Sequence, residues 1–134
     1  MTRSEAREQA FILIFEKIFN PEETIADMKT IAEEGGELTI DEFAEKLAVA
    51  AIENEAETDA LIEKNLKGWK LSRLPRVSLA ILRLAITEII FFDDVPDSVS
   101  ANEAVELAKK YGGDGDPAFI NGLLGSVIRS KAQA

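Results

Sequence analysis

Apolar positions recur every three to four residues along almost the whole chain, and no stretch sustains the two-residue alternation of a half-buried strand. The pattern predicts seven short helices. Thr2 with Glu5 forms a capping-box pair that opens the first helix, which runs to about Phe19. Asn20-Pro21 ends it, and Pro21 suits the first position of a second helix closing at Gly35-Gly36. Thr39, with Glu42 three residues on, is the expected cap of a third helix whose stripe is Ile40, Phe43, Leu47, Ala50 and Ala51. A soft break between Asn54 and Thr58 precedes a fourth, which carries Leu61, Ile62, Asn65 and Leu66 to Gly68-Trp69. Pro75 opens a strongly apolar helix from Val77 to Phe92, expected at the centre of the domain. After the break at Asp93-Asp94-Val95-Pro96, Ser100 and Glu103 suggest a capping box for a helix through Tyr111. Gly112 to Gly115 ends that helix, and Asp116 as cap with Pro117 at the first turn starts the last. The expectation is one all-α domain over residues 1–134.

Composition narrows the chemistry. The 134 residues include no cysteine and no histidine, so disulfides, Cys/His metal sites and nucleophiles that depend on either are excluded. No apolar run approaches the ~20 residues that span a bilayer, because Arg83 and Glu88 interrupt the longest. Glu5 and Glu8 precede Phe11–Phe15, where a secretory leader would carry positive charge. A soluble, cytoplasmic protein that binds no metal or cofactor is expected. With no recognisable nucleophile or acid–base pattern, no active site is expected either.

Net charge is −10, which argues against a generic nucleic-acid coat. The average conceals an asymmetry: residues 1–63 hold 17 acids and 5 bases, residues 64–134 hold 8 acids and 10 bases. Lys64, Lys67, Lys70, Arg73, Arg76 and Arg83 follow one another without an intervening acid. Two readings of this run stand: a patch for RNA or an acidic partner, or neutralisation of the acidic first half within the fold.

Arg3 and Arg7 share a helical face one turn apart, and no acid lies at the positions where Arg7 could find an intrahelical partner. Positive charge in a first turn also opposes the helix dipole. An external anion such as RNA phosphate would explain the pair, since the guanidinium fork matches phosphate oxygens. Solvated arginines, or pairing with another helix's acids, would explain it equally. Trp69, just after a helix-ending glycine, reads as a packing plug rather than a stacking platform. Tyr111 and Phe119 flank the Gly/Asp loop, where aromatics can stack on unpaired bases; Phe119 also suits a core position. The loop itself lacks any phosphate-cradle pattern, and Asp114 and Asp116 would repel phosphate.

Several ordered motifs together resemble the NusB family. They are Trp69-Lys-Leu-Ser-Arg-Leu-Pro-Arg-Val77, Ile81-Leu-Arg-Leu-Ala-Ile-Thr-Glu88, Val95-Pro96, Asn102 through Tyr111-Gly112, and Phe119-Ile-Asn-Gly-Leu-Leu124, with Arg3-x-x-Ala6-Arg7-x-x-Ala10 at the start. The likeness is dense from Trp69 to Leu124 and weak from Asn20 to Glu57. It implies two three-helix groups plus a seventh helix. It further implies a bacterial transcription antitermination factor that pairs with ribosomal protein NusE and binds single-stranded boxA RNA of ribosomal leader transcripts. Other Nus factors and RNA polymerase would join indirectly, and no catalysis is implied. The RNA contacts carried over are Arg3, Arg7, Lys109, Lys110, Tyr111 and Phe119. Phe15 matches an aromatic near the NusE surface, and Ser78 stands where the family usually offers NusE an acid. Thr87 replaces a usual tyrosine and Gly125 a common aspartate. A homodimer of the free chain through the NusE surface remains open. Two alternatives remain: an RNA-binding module associated with a ribosomal RNA methyltransferase, and a protein-only helical scaffold.

Overall fold

The computed structural model describes residues 1–36 and 38–133. Its helices are α1 (Arg3–Phe19), α2 (Ile25–Glu34), α3 (Glu42–Glu53), α4 (Glu55–Lys64), α5 (Arg76–Phe91), α6 (Asp97–Tyr111) and α7 (Asp116–Gln133), with a 3-10 turn at Leu71–Arg73 before α5. No strand occurs among the described residues.

The centre of the fold is α5. Residues 80 to 89 are buried without interruption, as a helix apolar on all sides requires. On one side it meets α1 and α3; on another it meets α6 and α7, while α4 braces it laterally. Helices α1–α3 therefore form one group and α4–α6 a second, with α7 laid across α5 and α6, the arrangement the sequence led us to expect. Charged clamps tie the layers. Arg83 of α5 donates to both carboxylate oxygens of Asp59 at 2.9 Å and pairs with Glu55 at 2.8 Å, holding α4 in place. Lys131 at the end of α7 donates to the Ile89 carbonyl and to Asp97, at 2.7 and 2.9 Å. Among the described residues no helix is long and apolar enough to cross a membrane.

Several helix starts differ from expectation. Pro21 lies in a turn, and α2 is opened instead by Thr24, whose side chain forms a capping box with Asp27. The cap of α3 is Asp41, which accepts from the amides of Phe43 and Ala44, rather than Thr39. Helix α4 stops at Lys64, so Gly68 and Trp69 stand beyond it. Helix α6 begins three residues before Ser100, after Pro96, leaving Ser100 inside the helix and buried. The capping box at Thr2 and Glu5 forms as expected, and so does the start of α5 after Pro75.

Candidate nucleic-acid interface

Helix α1 separates its two arginines. Arg3 is exposed, and its guanidinium carbon sits 3.9 Å from the centroid of the Phe43 ring, a cation–π arrangement that leaves its edge donors to solvent. Arg7 is turned inward, with its side chain only 5% exposed. Its Nε donates to both carboxylate oxygens of Glu88 at 3.0 Å, and Nη1 lies 3.8 Å from Glu103. Glu88 is 0% exposed and also accepts from Ser100 Oγ at 2.6 Å. The absence of an intrahelical partner for Arg7 is thus resolved by an acid 81 residues away. This corrects the expectation that Arg7 shares phosphate contact with Arg3: its charge is consumed in joining α1, α5 and α6.

At the other end of that face, α6 hands over to α7. Contacts between Ser4 and Glu103, Glu8 and Lys110, and Phe11 and Tyr111 show α1 and α6 running parallel. Arg3 therefore lies about one and a half helical turns, roughly 7.5 Å along α1, from the level of Lys110. Lys110 Nζ donates to Glu8 at 2.7 Å, which holds its ammonium above the usual lysine range. Burial pushes the Tyr111 hydroxyl upward, with Glu8 adding to the effect. Lys109 meets Glu106 on the open surface. Exposed pairs of this kind contribute little to stability, so phosphate can displace the carboxylates at small cost.

Tyr111 stands half-exposed with its ring 4.9 Å from that of Phe11, and Phe119 is 39% exposed near the start of α7. The junction between them is set by Gly112. A Cβ there would lie 2.8 Å from the Ala108 carbonyl oxygen and 2.8 Å from Asp116 Oδ2. Asp116 accepts from the Gly113 amide at 2.8 Å, so its carboxylate serves the turn.

The two expected partner residues separate as well. Phe15 is partly buried in a row of rings, 5.9 Å from Phe11 and 5.1 Å from Phe19, and Phe19 is open to solvent. Ser78 is 1% exposed inside α5, with no hydrogen-bond partner for its hydroxyl. A side chain so enclosed cannot touch a partner, which corrects the expected role of Ser78. Thr87 is also buried and donates to the Arg83 carbonyl at 2.6 Å.

Sequence reasoning undervalued the segment between α4 and α5. Among the described residues, Arg83 is the one of the six bases from Lys64 to Arg83 that pairs with acids of the first half. Lys64, Lys67, Lys70, Arg73 and Arg76 are exposed and, among the described residues, make no ion pair. Trp69 is 65% exposed, so the packing-plug expectation is overturned. The signal was in the sequence as an acid-free run around a lone tryptophan. Among the described residues no cluster of three or more acidic side chains is placed to hold a metal.

The surface is one of exposed aromatics and cations on a helical frame, and known proteins share that frame. The NusB family model matches residues 4–129. The transcription antitermination protein NusB of Agathobacter rectalis is 46% identical over 127 residues, covering 92% of this chain and 97% of that protein. The protein of the same name from Clostridium novyi is 40% identical over 134 residues, covering 97% and 100%. Among solved structures, a complex of antitermination factors NusB and NusE with double-stranded RNA contains a chain 30% identical to this one. It matches with a TM-score of 0.82 over 97% of this chain and 99% of that one. Helix count, the buried central helix and near-complete coverage by these relatives agree: the chain belongs to the NusB family.

Proposed function

We propose that this protein is a transcription antitermination factor that pairs with NusE and binds boxA RNA of ribosomal leader transcripts as a single strand. The observation that carries the reading is the set of groups left open along α1 and the α6–α7 junction. Arg3, Lys109 and Lys110 supply charge, and Tyr111 and Phe119 supply stacking faces. Arg7 acts here as a positioning residue, locking α1 against Glu88 so that Arg3 and Lys110 face the same strand. The protein works by binding, in the cytoplasm, and without a cofactor. NusE docks near Phe15 and the exposed Phe19, and the acidic first half offers it a complementary field.

Two to four phosphate contacts would give a salt slope of roughly −1.4 to −2.8 on single strands, so the isolated protein binds RNA weakly. The test is fluorescence anisotropy of labelled boxA RNA, titrated with this protein alone and then with equimolar NusE. Scrambled and duplex RNA serve as competitors at several salt concentrations. Weak binding that becomes tight and sequence-selective with NusE is expected. Absence of selective binding in both conditions would refute the reading.

A further inference from the structure

A cleft of about 400 Å³ lies beside Trp69, Arg73, Leu74 and Pro75 on one side and Asp116 and Phe119 on the other. Its volume falls in the range of small-ligand sites. Gly68 adopts φ +79, a left-handed turn that redirects the chain just after α4 and puts Trp69 outside the core. Arg76, in the first turn of α5, has its guanidinium 5.7 Å from the Phe19 ring, so the basic segment meets the aromatic row running Tyr111, Phe11, Phe15, Phe19. The Trp69 cleft and the α6–α7 junction are therefore neighbouring parts of one end of the molecule. Phe119 borders both.

We infer that Trp69, with Arg73 and Phe119, is a base-stacking site that continues the RNA path beyond α6–α7 across the basic segment 64–76. This inference rests on the RNA-binding reading above and extends it from Phe119, which that reading uses, to Trp69 and Arg73, which it does not. Charge decides the occupant. The segment that carries Trp69 has five exposed cations that make no ion pair among the described residues, and two of them, Lys70 and Arg73, line clefts with the exposed indole. A basic groove with a sequence-tolerant aromatic platform is what single strands require. Asp116 lines the cleft beside Phe119, and its carboxylate, which accepts from the Gly113 amide, keeps phosphate on the Arg73 side, while Glu63 borders the adjoining cleft beside Lys70.

Trp69 is the only tryptophan, so the intact protein carries its own reporter. The experiment titrates the full chain, with and without NusE, with boxA RNA. It reads tryptophan quenching and RNA anisotropy in parallel for wild type, Trp69→Ala, Trp69→Phe and Arg73→Ala. Circular dichroism confirms that each variant is folded. Quenching should track anisotropy in the wild type. Trp69→Ala should weaken binding about tenfold, within the contribution of one stacked base, while Trp69→Phe stays within about threefold. Arg73→Ala should reduce the salt slope by about 0.7, one phosphate contact on a single strand. Wild-type binding without quenching, with Trp69→Ala equally tight, would overturn the inference and leave the antitermination reading intact. If Trp69→Ala instead weakens pairing with NusE and leaves RNA affinity of the isolated chain unchanged, the cleft is a protein-docking surface and the inference is wrong. Failure of the wild type to bind RNA in any condition overturns both.

Discussion

Replacing Arg7 by alanine distinguishes an RNA contact from a buried strut. In the structure Arg7 and Ser100 are the two side chains that donate to Glu88, a carboxylate with no exposure to water. Removing the guanidinium leaves that charge desolvated with only the Ser100 hydroxyl, and breaking such a pair costs about 3–5 kcal/mol. For a 134-residue chain, the usual unfolding entropy converts this into a fall in Tm of about 10–18 °C. Denaturant unfolding followed by far-UV circular dichroism gives the free energy, and a thermal scan gives the midpoint. The double variant Arg7→Met/Glu88→Leu removes both charges and should recover most of the loss, since apolar replacement of a buried pair is often neutral or better. Under conditions where all variants are folded, Arg3→Ala should weaken boxA RNA binding more than Arg7→Met/Glu88→Leu. A stability loss under about 1 kcal/mol for Arg7→Ala, accompanied by a tenfold loss of RNA affinity, would refute the strut and restore direct contact.

Three further outcomes are expected. The Thr2 backbone N–H, then the Thr2 hydroxyl, hold the Glu5 carboxyl below its ordinary 4.5. Its contribution is therefore present above that value and lost as pH falls through the depressed one; amide protection factors in the first turn of α1, with the intrinsic pH dependence of exchange divided out, should fall with acid, and Glu5→Gln should abolish that fall. Gly112→Ala forces a methyl to within 2.8 Å of the Ala108 carbonyl, so it should destabilise the fold by about 1–3 kcal/mol, as overpacking does, and weaken RNA binding by displacing Phe119 relative to Tyr111. Ile86→Ala, in the fully buried run of α5, should cost about 2–5 kcal/mol in denaturant unfolding while leaving the RNA salt slope unchanged.

What the sequence made legible was what local chemistry decides. Pro75 and the apolar run after it placed α5, and Thr2 with Glu5 placed the start of α1. Where two caps compete within a turn or so, tertiary contacts choose between them. Pro21 and Thr24 both suit a helix start, but Lys17 donates to the Pro21 and Glu23 carbonyls and holds that stretch as a turn. Thr39 loses to Asp41 as Gln9 of α1 donates to the Thr39 carbonyl and accepts from the Asp41 amide. Ser100 has the residue type of a cap, but its hydroxyl belongs to Glu88. The candidate site divides in the same way. Exposed Arg3, Lys110 and Tyr111 lie on helix faces that periodicity can place, whereas the burial of Arg7 depends on Glu88, far along the chain. Local statistics favoured a packed Trp69; its exposure follows from α4 ending at Lys64 and from the reversal at Gly68.

The long span between Arg7 and its acids also sets the order in which the protein can be built. Helix α1 leaves the ribosome first, yet Glu88 follows it by 81 residues, and the Ser4–Glu103 and Glu8–Lys110 contacts span 99 and 102. At ordinary synthesis speeds of 5–20 residues per second, α1 waits about 4–16 s before Glu88 has been made. During that interval its amphipathic face has only α2 and α3 to rest on, and its buried cation has no counterion. Closing α1 onto α5 and α6 is then a late step, because it must wait for a loop of 81 residues between Arg7 and Glu88 to be made and closed. A nascent chain arrested before α5 would hold α1 docked against its own group only, with the RNA-facing side of the molecule not yet assembled.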